Sequence, residues 1–252
     1  MTLPGWPVTR PERVLIGAHR GASAQAPENS AAAFRAALKT GADFVETDLR
    51  LSADGVAVAC HDADLARLCG DGRKVAGLTL AELRAADPQL LTIAEVLRIA
   101  LPAALVLIDV KLTDLAALAR LPAAMKWADA GGRVALGLRS LAAAQALAGH
   151  FAGWPQLALF GDPRDHAAFA AIGGRWARLW QHDASDAAIA DLHRLGLNAV
   201  VMAGMPTAAG VGEIAAPELT GLIGRSADAV MLNDPALAVS LRGAVRRRQA
   251  AP

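Results

Sequence analysis

The sequence has little cysteine, little lysine and no surplus of charge of either sign. Its two cysteines, Cys60 and Cys69, stand nine residues apart in no metal-type spacing and read as reduced thiols, not as a disulfide framework. A net charge of +1 argues against a nucleic-acid footprint or an acidic-lipid patch. No run reaches the roughly 18–20 uninterrupted apolar residues of a membrane span. The N-terminus carries Pro4, Pro7, Pro11 and Glu12 where a signal peptide would have its apolar stretch. The expectation is a cytoplasmic protein with no nucleic-acid partner and no stable membrane insertion; the oligomeric state stays open. Lysine stands only at 39, 74, 111 and 126, so a lysine in a strand, such as Lys111, attracts notice.

Hydrophobic residues make up 54% of the 252, much of that alanine, enough for one sizeable core. Short β-rich runs recur at Val14–His19, Phe44–Leu49, Leu105–Lys111, Arg133–Leu138, Gln156–Phe160, Trp176–Gln181, Asn198–Met202 and Ala229–Leu232, with a further run at Val56–Cys60. Alanine-rich helical stretches lie between them: Ser30–Thr40, Leu91–Ile99, Asp114–Ala130, Ala142–Gly149, Arg164–Ile172 and Asp186–Leu195. Several end near a glycine suited to a left-handed cap, at 41, 131, 149, 173 and 196. Apolar strands alternating with helices imply a parallel sheet covered on its outer face. Eight such units in about 250 residues predict an α/β fold, a (β/α)8 TIM barrel. The chain reads as a single domain over 1–252, with its core at about 14–242. A doubly wound open sheet is the alternative, weakened by the lack of a GxGxxG turn after the first strand. Segment 62–90, rich in Asp, Gly and Pro, reads as a short excursion after the second strand with a helix at Leu80–Ala85. The tail Arg246-Arg247-Arg248-Gln249 reads as solvated and frayed.

Chemistry-bearing residues crowd the ends of the early strands. Side chains alternate across a strand, so Glu46 and Asp48 share a face, as do Asp109 and Lys111. Burying two carboxylates together is costly unless a cation compensates. Glu46, Asp48 and Asp109 form an all-oxygen set suited to Mg2+ or Ca2+. A buried ion pair of Glu46 or Asp48 with Arg50 or Lys111 would answer the same need, and pattern alone does not choose. His19 and His61 each close an apolar run; imidazoles at the mouth of a barrel suit acid and base roles. Arg20 offers a fork of donors to a phosphate. Glu28 and Asn29, with Ser30 also a possible cap, either cap the first helix or, for Glu28, orient Arg20 or a substrate hydroxyl.

At these positions the chain resembles the glycerophosphodiester phosphodiesterase family. The resemblance rests on His19-Arg20-Gly21, Pro27-Glu28-Asn29-Ser30, Glu46-Thr47-Asp48, His61-Asp62 and Asp109-Val110-Lys111, with Asn233-Asp234-Pro235 near the end. It is dense over 14–112, resumes at about 220–240 and is thin between. It implies a TIM barrel, a divalent metal, and hydrolysis of a glycerophosphodiester to sn-glycerol 3-phosphate and an alcohol. It further implies His19 and His61 as acid and base, Glu46, Asp48 and Asp109 as metal ligands, and Arg20 and Lys111 on the phosphate. The glycerol 2-hydroxyl would be the internal nucleophile, through a cyclic phosphate that water opens. Two departures stand out. Asp109 takes the place of the family's usual Glu. Asn198–Met205 lacks the late aromatic pattern Trp-Thr-Val-Asn, so Trp180 is the aromatic expected near the substrate, while His182 and Asp183 either extend the site or, as favoured here, form a surface turn. Alternatives to the hydrolase are a phosphodiester lyase stopping at the cyclic phosphate, a lysophospholipase D, and a catalytically weak binding barrel.

Overall fold

In the computed structural model, which describes residues 5–126, 132–151, 153–206, 210–225 and 227–249 (the backbone alone beyond 244), eight parallel strands close into a barrel. They are β1 (Leu15–Ala18), β2 (Phe44–Leu51), β6 (Leu105–Val110), β7 (Val134–Leu138), β8 (Gln156–Ala158), β9 (Trp176–Trp180), β10 (Asn198–Met202) and β11 (Ala229–Leu232). Closure comes from β1, which pairs with β11 on one side, Leu15 opposite Ala229, and with β2 on the other, Gly17 opposite Phe44. The open-sheet alternative is thereby excluded. The extra run after the second strand forms β3 (Ala57–Ala59), which pairs antiparallel with the outer end of β2.

Helices α1 (Ala31–Thr40), α4 (Ile93–Ala100), α5 (Leu115–Ala124), α6 (Leu141–Leu147), α7 (Pro163–Ala171) and α8 (Asp186–Arg194) cover the outer face near their expected places. Local chemistry sets their starts. Ser30, Ser140 and Ser185 each accept a backbone N–H three residues on, and Thr92 with Glu95 forms a reciprocal capping box. Helix α5 is shorter than expected, ending at Ala124; residues 127–131, with the expected cap Gly131, lie outside the described residues.

Three features correct the sequence reading. Segment 62–90 holds a small two-stranded sheet, β4 (Asp64–Leu65) with β5 (Asp71–Lys74), and the short helix α2 (Ala66–Cys69), before α3 (Leu80–Ala86). A second unmarked helix, α9 (Ala216–Gly224), precedes β11. The tail is not frayed backbone: α10 runs over Pro235–Gln249. Its start is set by Pro235 and by Asp234, whose carboxylate accepts the N–H groups of Ala236 and Leu237.

Inward positions of the strands fill the barrel with side chains such as Phe44, Leu107, Trp176 and Met231. Phe44 needs space on β1: a Cβ on Gly17 would lie 2.0 Å from its ring. Trp6 plugs the end where the strands begin. Its Nε1 donates to Val106 O at 3.1 Å, and its ring meets Phe44 and Trp176 with centroids 5.0 and 5.5 Å apart. The opposite end, where the strands finish, is left for the site.

Candidate active site

The loop from β1 to α1 is held in an unusual backbone path. Arg20 and Asn29 both have φ of 55°, a left-handed conformation that non-glycine residues seldom adopt. Gly21 follows at φ 82°, and a Cβ there would meet the Ala33 backbone at 2.7 Å, so the loop can lie flat on α1 only with glycine at this position. The turn points the Arg20 N–H at Glu46 Oε2, 2.9 Å away, and brings Asn29 N–H to Arg20 O. Ser30, not Glu28 or Asn29, caps α1. Asn29 is buried and donates to Asp48 Oδ2 at 2.8 Å while accepting from Thr47 Oγ1. Glu28 accepts from Arg20 Nη1 at 3.0 Å and from Arg67 of α2, so it orients Arg20 and pins the excursion to the barrel mouth.

Glu46, Asp48 and Asp109 come together as expected, each buried, with one oxygen from each within 4.8 Å of the others. Their surroundings differ. Lys111 Nζ lies 2.8 Å from Asp48 Oδ1 and donates to Asp109 Oδ2 at 2.6 Å. Arg20 Nε stands 3.2 Å from Asp48 Oδ2. Arg139, just past β7, grips Asp109 with two donors at 3.0 and 2.6 Å. The open choice of ion pair is therefore settled for Asp48, which pairs with Lys111, whereas Arg50 turns away to donate to His61 O. Burial alone would raise the Asp48 carboxyl, but the charges of Lys111, Arg20 and His61 outweigh it and hold Asp48 well below the usual range. Glu46 has no such cation in contact. Burial, then the neighbouring charges of Asp48 and Asp109, push it well above the ordinary value.

The two histidines line one cleft of about 610 Å³ with Glu46, Asp109 and Lys111. His19 Nδ1 meets Asn233 Oδ1 at 2.8 Å; Asn233 Nδ2 donates to Val211 O and Glu213, which fixes its oxygen toward the ring. His19 therefore donates from Nδ1 and keeps its lone pair on Nε2. Burial, then the charge of Arg20, lowers its pKa to about 4. His61 is more open. Its Nδ1 donates to Asp62 Oδ1 at 2.7 Å, and Asp62 is held in turn by Arg67. Burial lowers the His61 pKa, against the pull of Asp48.

Trp180, at the end of β9, lines the cleft; His182 and Asp183 pair with each other on an exposed turn and do not. Three cleft residues escaped the sequence reading: Arg139, Arg178 and Asn233. Parity could have found the arginines. Arg139 shares the inward face of Ala135 and Gly137, and Arg178 that of Trp176 and Trp180. Asn233 was visible only as part of the exit from the last strand.

The donor set fits a divalent cation. All three residues offer hard oxygens that converge within 4.8 Å, and burial beside Asp48 and Asp109 raises the Glu46 pKa, a cost that a cation there would relieve. Glu46 is the freest of the three, because both oxygens of Asp109 accept from Arg139 and those of Asp48 are engaged by Lys111, Asn29 and Arg20.

Comparisons with known proteins agree with this geometry. Residues 19–131 match the model of the glycerophosphoryl diester phosphodiesterase family. Glycerophosphodiester phosphodiesterase 1 of Bos taurus is 43% identical over 77 residues, covering 31% of this chain and 23% of that protein. The curated relatives are matched over less than a third of their own length, 30% for the first two. The crystal structure of a glycerophosphodiester phosphodiesterase from Thermotoga maritima superposes with a TM-score of 0.74 at 25% identity, covering 92% of this chain and all of that one. A phosphodiesterase from Oleispira antarctica, solved with the product sn-glycerol-3-phosphate, shares the fold with a TM-score of 0.76 at 20% identity, over 92% of this chain and 96% of its own. Over residues 19–131, less than half of the chain, the protein is thus similar to the glycerophosphoryl diester phosphodiesterase family.

Proposed function

We propose that this protein hydrolyses a small glycerophosphodiester to sn-glycerol 3-phosphate and an alcohol, assisted by a divalent cation, Mg2+ or Ca2+, held by Glu46, Asp48 and Asp109. The observation that carries the reading is a cleft lined by two differently wired histidines and by Glu46 and Asp109, with an Asp48 oxygen within 4.8 Å of both carboxylates. A bound cation would supply charge stabilisation to the phosphorane-like transition state and offset the mutual repulsion of the three carboxylates. The chain's own groups do the rest. Neutral His19, with its lone pair on Nε2, takes the proton of the attacking hydroxyl. His61, backed by the Asp62 carboxylate, returns a proton to the departing alkoxide. Arg20, braced by Glu28, and Lys111, braced by Asp48 and Asp109, present charge to the phosphate oxygens. Trp180 walls the cleft. A hydroxyl already within the substrate reacts with little further loss of freedom, which favours the glycerol 2-hydroxyl as nucleophile; water then opens the cyclic phosphate, His61 taking the water's proton and His19 returning one to the departing 2-oxygen.

The test is release of glycerol 3-phosphate from glycerophosphoglycerol and glycerophosphocholine, with EDTA and with Mg2+ or Ca2+ restored. Release should stop with EDTA and return with metal. His19→Ala and His61→Ala should each lower kcat about 10²–10⁴-fold with unchanged circular dichroism. Turnover that persists in both variants, or that ignores EDTA, would defeat the reading. A cyclic phosphate that accumulates in phosphorus NMR would point to the lyase instead.

A further inference from the structure

Five cationic side chains line the cleft: Arg20, Arg67, Lys111, Arg139 and Arg178. Four are matched to carboxylates. Arg20 pairs with Glu28 and Asp48, Arg67 with Glu28 and Asp62, Lys111 with Asp48 and Asp109, and Arg139 with Asp109. Arg178 has no ion pair among the described residues. Of its three nitrogens only Nη2 meets a protein acceptor, Leu159 O at 2.8 Å, and its Nε is buried with no hydrogen bond. Its guanidinium lies 4.3 Å from the centroid of the Trp180 ring. Leu107, Leu159 and Met202 are among the apolar residues that line the same cleft. A charge in such a place is costly without a partner. Burial accordingly lowers the Arg178 pKa to about 10, a direction that an anion alongside would reverse.

Arginine's planar fork, anchored at one nitrogen and stacked on an indole, is preorganised for an oxyanion. The same stacking closes that face of Trp180 to a quaternary ammonium group, which would otherwise be its natural guest. We propose that Arg178 forms a second anion subsite, which selects glycerophosphodiesters whose departing alcohol carries an anionic group of its own. The proposal rests on the phosphodiesterase reading and adds the class of the alcohol.

A matched pair of substrates tests it: glycerophosphoglycerol, and the same compound with a phosphate on its far glycerol. Glycerophosphocholine gives the cationic extreme. One charge-assisted contact in a low-dielectric wall corresponds to about tenfold or more in kcat/KM, expressed mainly in KM. The wild-type order should therefore be phosphorylated, then neutral, then choline. In Arg178→Gln the ratio of phosphorylated to neutral should collapse to within about twofold, and Arg178→Lys should restore part of it because a cation remains. Wild-type enzyme with no preference for the phosphorylated compound would overturn the proposal. So would an equal loss on all three substrates in Arg178→Gln, which would place Arg178 on the scissile phosphate. If no compound yields glycerol 3-phosphate, the hydrolytic reading fails by itself. Calorimetric binding of the same matched pair then decides the subsite: tighter binding of the phosphorylated compound, lost in Arg178→Gln, upholds it, and equal binding overturns it.

Discussion

Glu46 and Asp48 stand two residues apart on one face of β2, yet they hold protons with opposite affinities. The difference lies in their partners, since both are buried: Asp48 has Lys111, Arg20 and Asn29, whereas Glu46 has only the backbone N–H of Arg20. His19 shows the same logic for a base. With a folded pKa of about 4 against roughly 6.5 in the unfolded chain, His19 binds fewer protons folded than unfolded between those values. Stability from this residue is therefore fully present above about pH 6.5 and is lost as pH falls toward 4. The loss is on the order of 3 kcal/mol at most, at about 1.4 kcal/mol for each unit. Urea unfolding of wild type and His19→Gln at pH 7.5 and pH 5 measures it. The wild type should lose more stability on acidification than the variant, and parallel losses would show that His19 is protonated in the folded state.

Among the elements, β1 is the most tightly specified. It closes the barrel and delivers His19 and Arg20 to the mouth, and it passes Phe44 only because residue 17 has no side chain. Gly17→Ala should cost about 1–3 kcal/mol through overpacking, read as a lower Tm. Gly72→Ala in β5, where no atom lies within 4 Å of the new Cβ, serves as the control and should stay within about 0.5 kcal/mol of wild type. Equal effects from both would mean that the barrel yields around Phe44. The strands were legible in the sequence because both of their faces are buried, which makes runs such as Leu105–Val110 almost wholly apolar. The β4–β5 pair was not, because its residues, Asp71 to Lys74 among them, are polar and its pairing is fixed by contacts such as Lys74 with Asp64. Helix α9 was missed for a related reason: it has no side-chain cap to announce its start.

At the scale of the molecule, the barrel separates stability from chemistry. Trp6 seals one end and the ionised cleft occupies the other. Trp6→Ala should cost about 3–5 kcal/mol in urea unfolding while leaving glycerol 3-phosphate release at low temperature within about twofold of wild type. A large loss of turnover in folded Trp6→Ala would show that the plug also sets the geometry of the mouth. No helix among the described residues is long and apolar enough to cross a membrane.

Sequence alone determined the alternation of strands and helices and the early motif residues, because each is written in a span short enough for period and spacing to show. His19, Glu46, Asp48, His61, Asp109 and Lys111 all lie near the ends of runs whose parity can be counted. What only the tertiary structure decided is how these groups are matched. Barrel closure sets Asn233 against His19, 214 positions away, and Arg139 against Asp109, and it leaves Arg178 facing the cleft with no ion pair to a carboxylate among the described residues. Charge balance in a buried site is a sum over every strand that contributes to it, and a single strand's pattern carries only its own share.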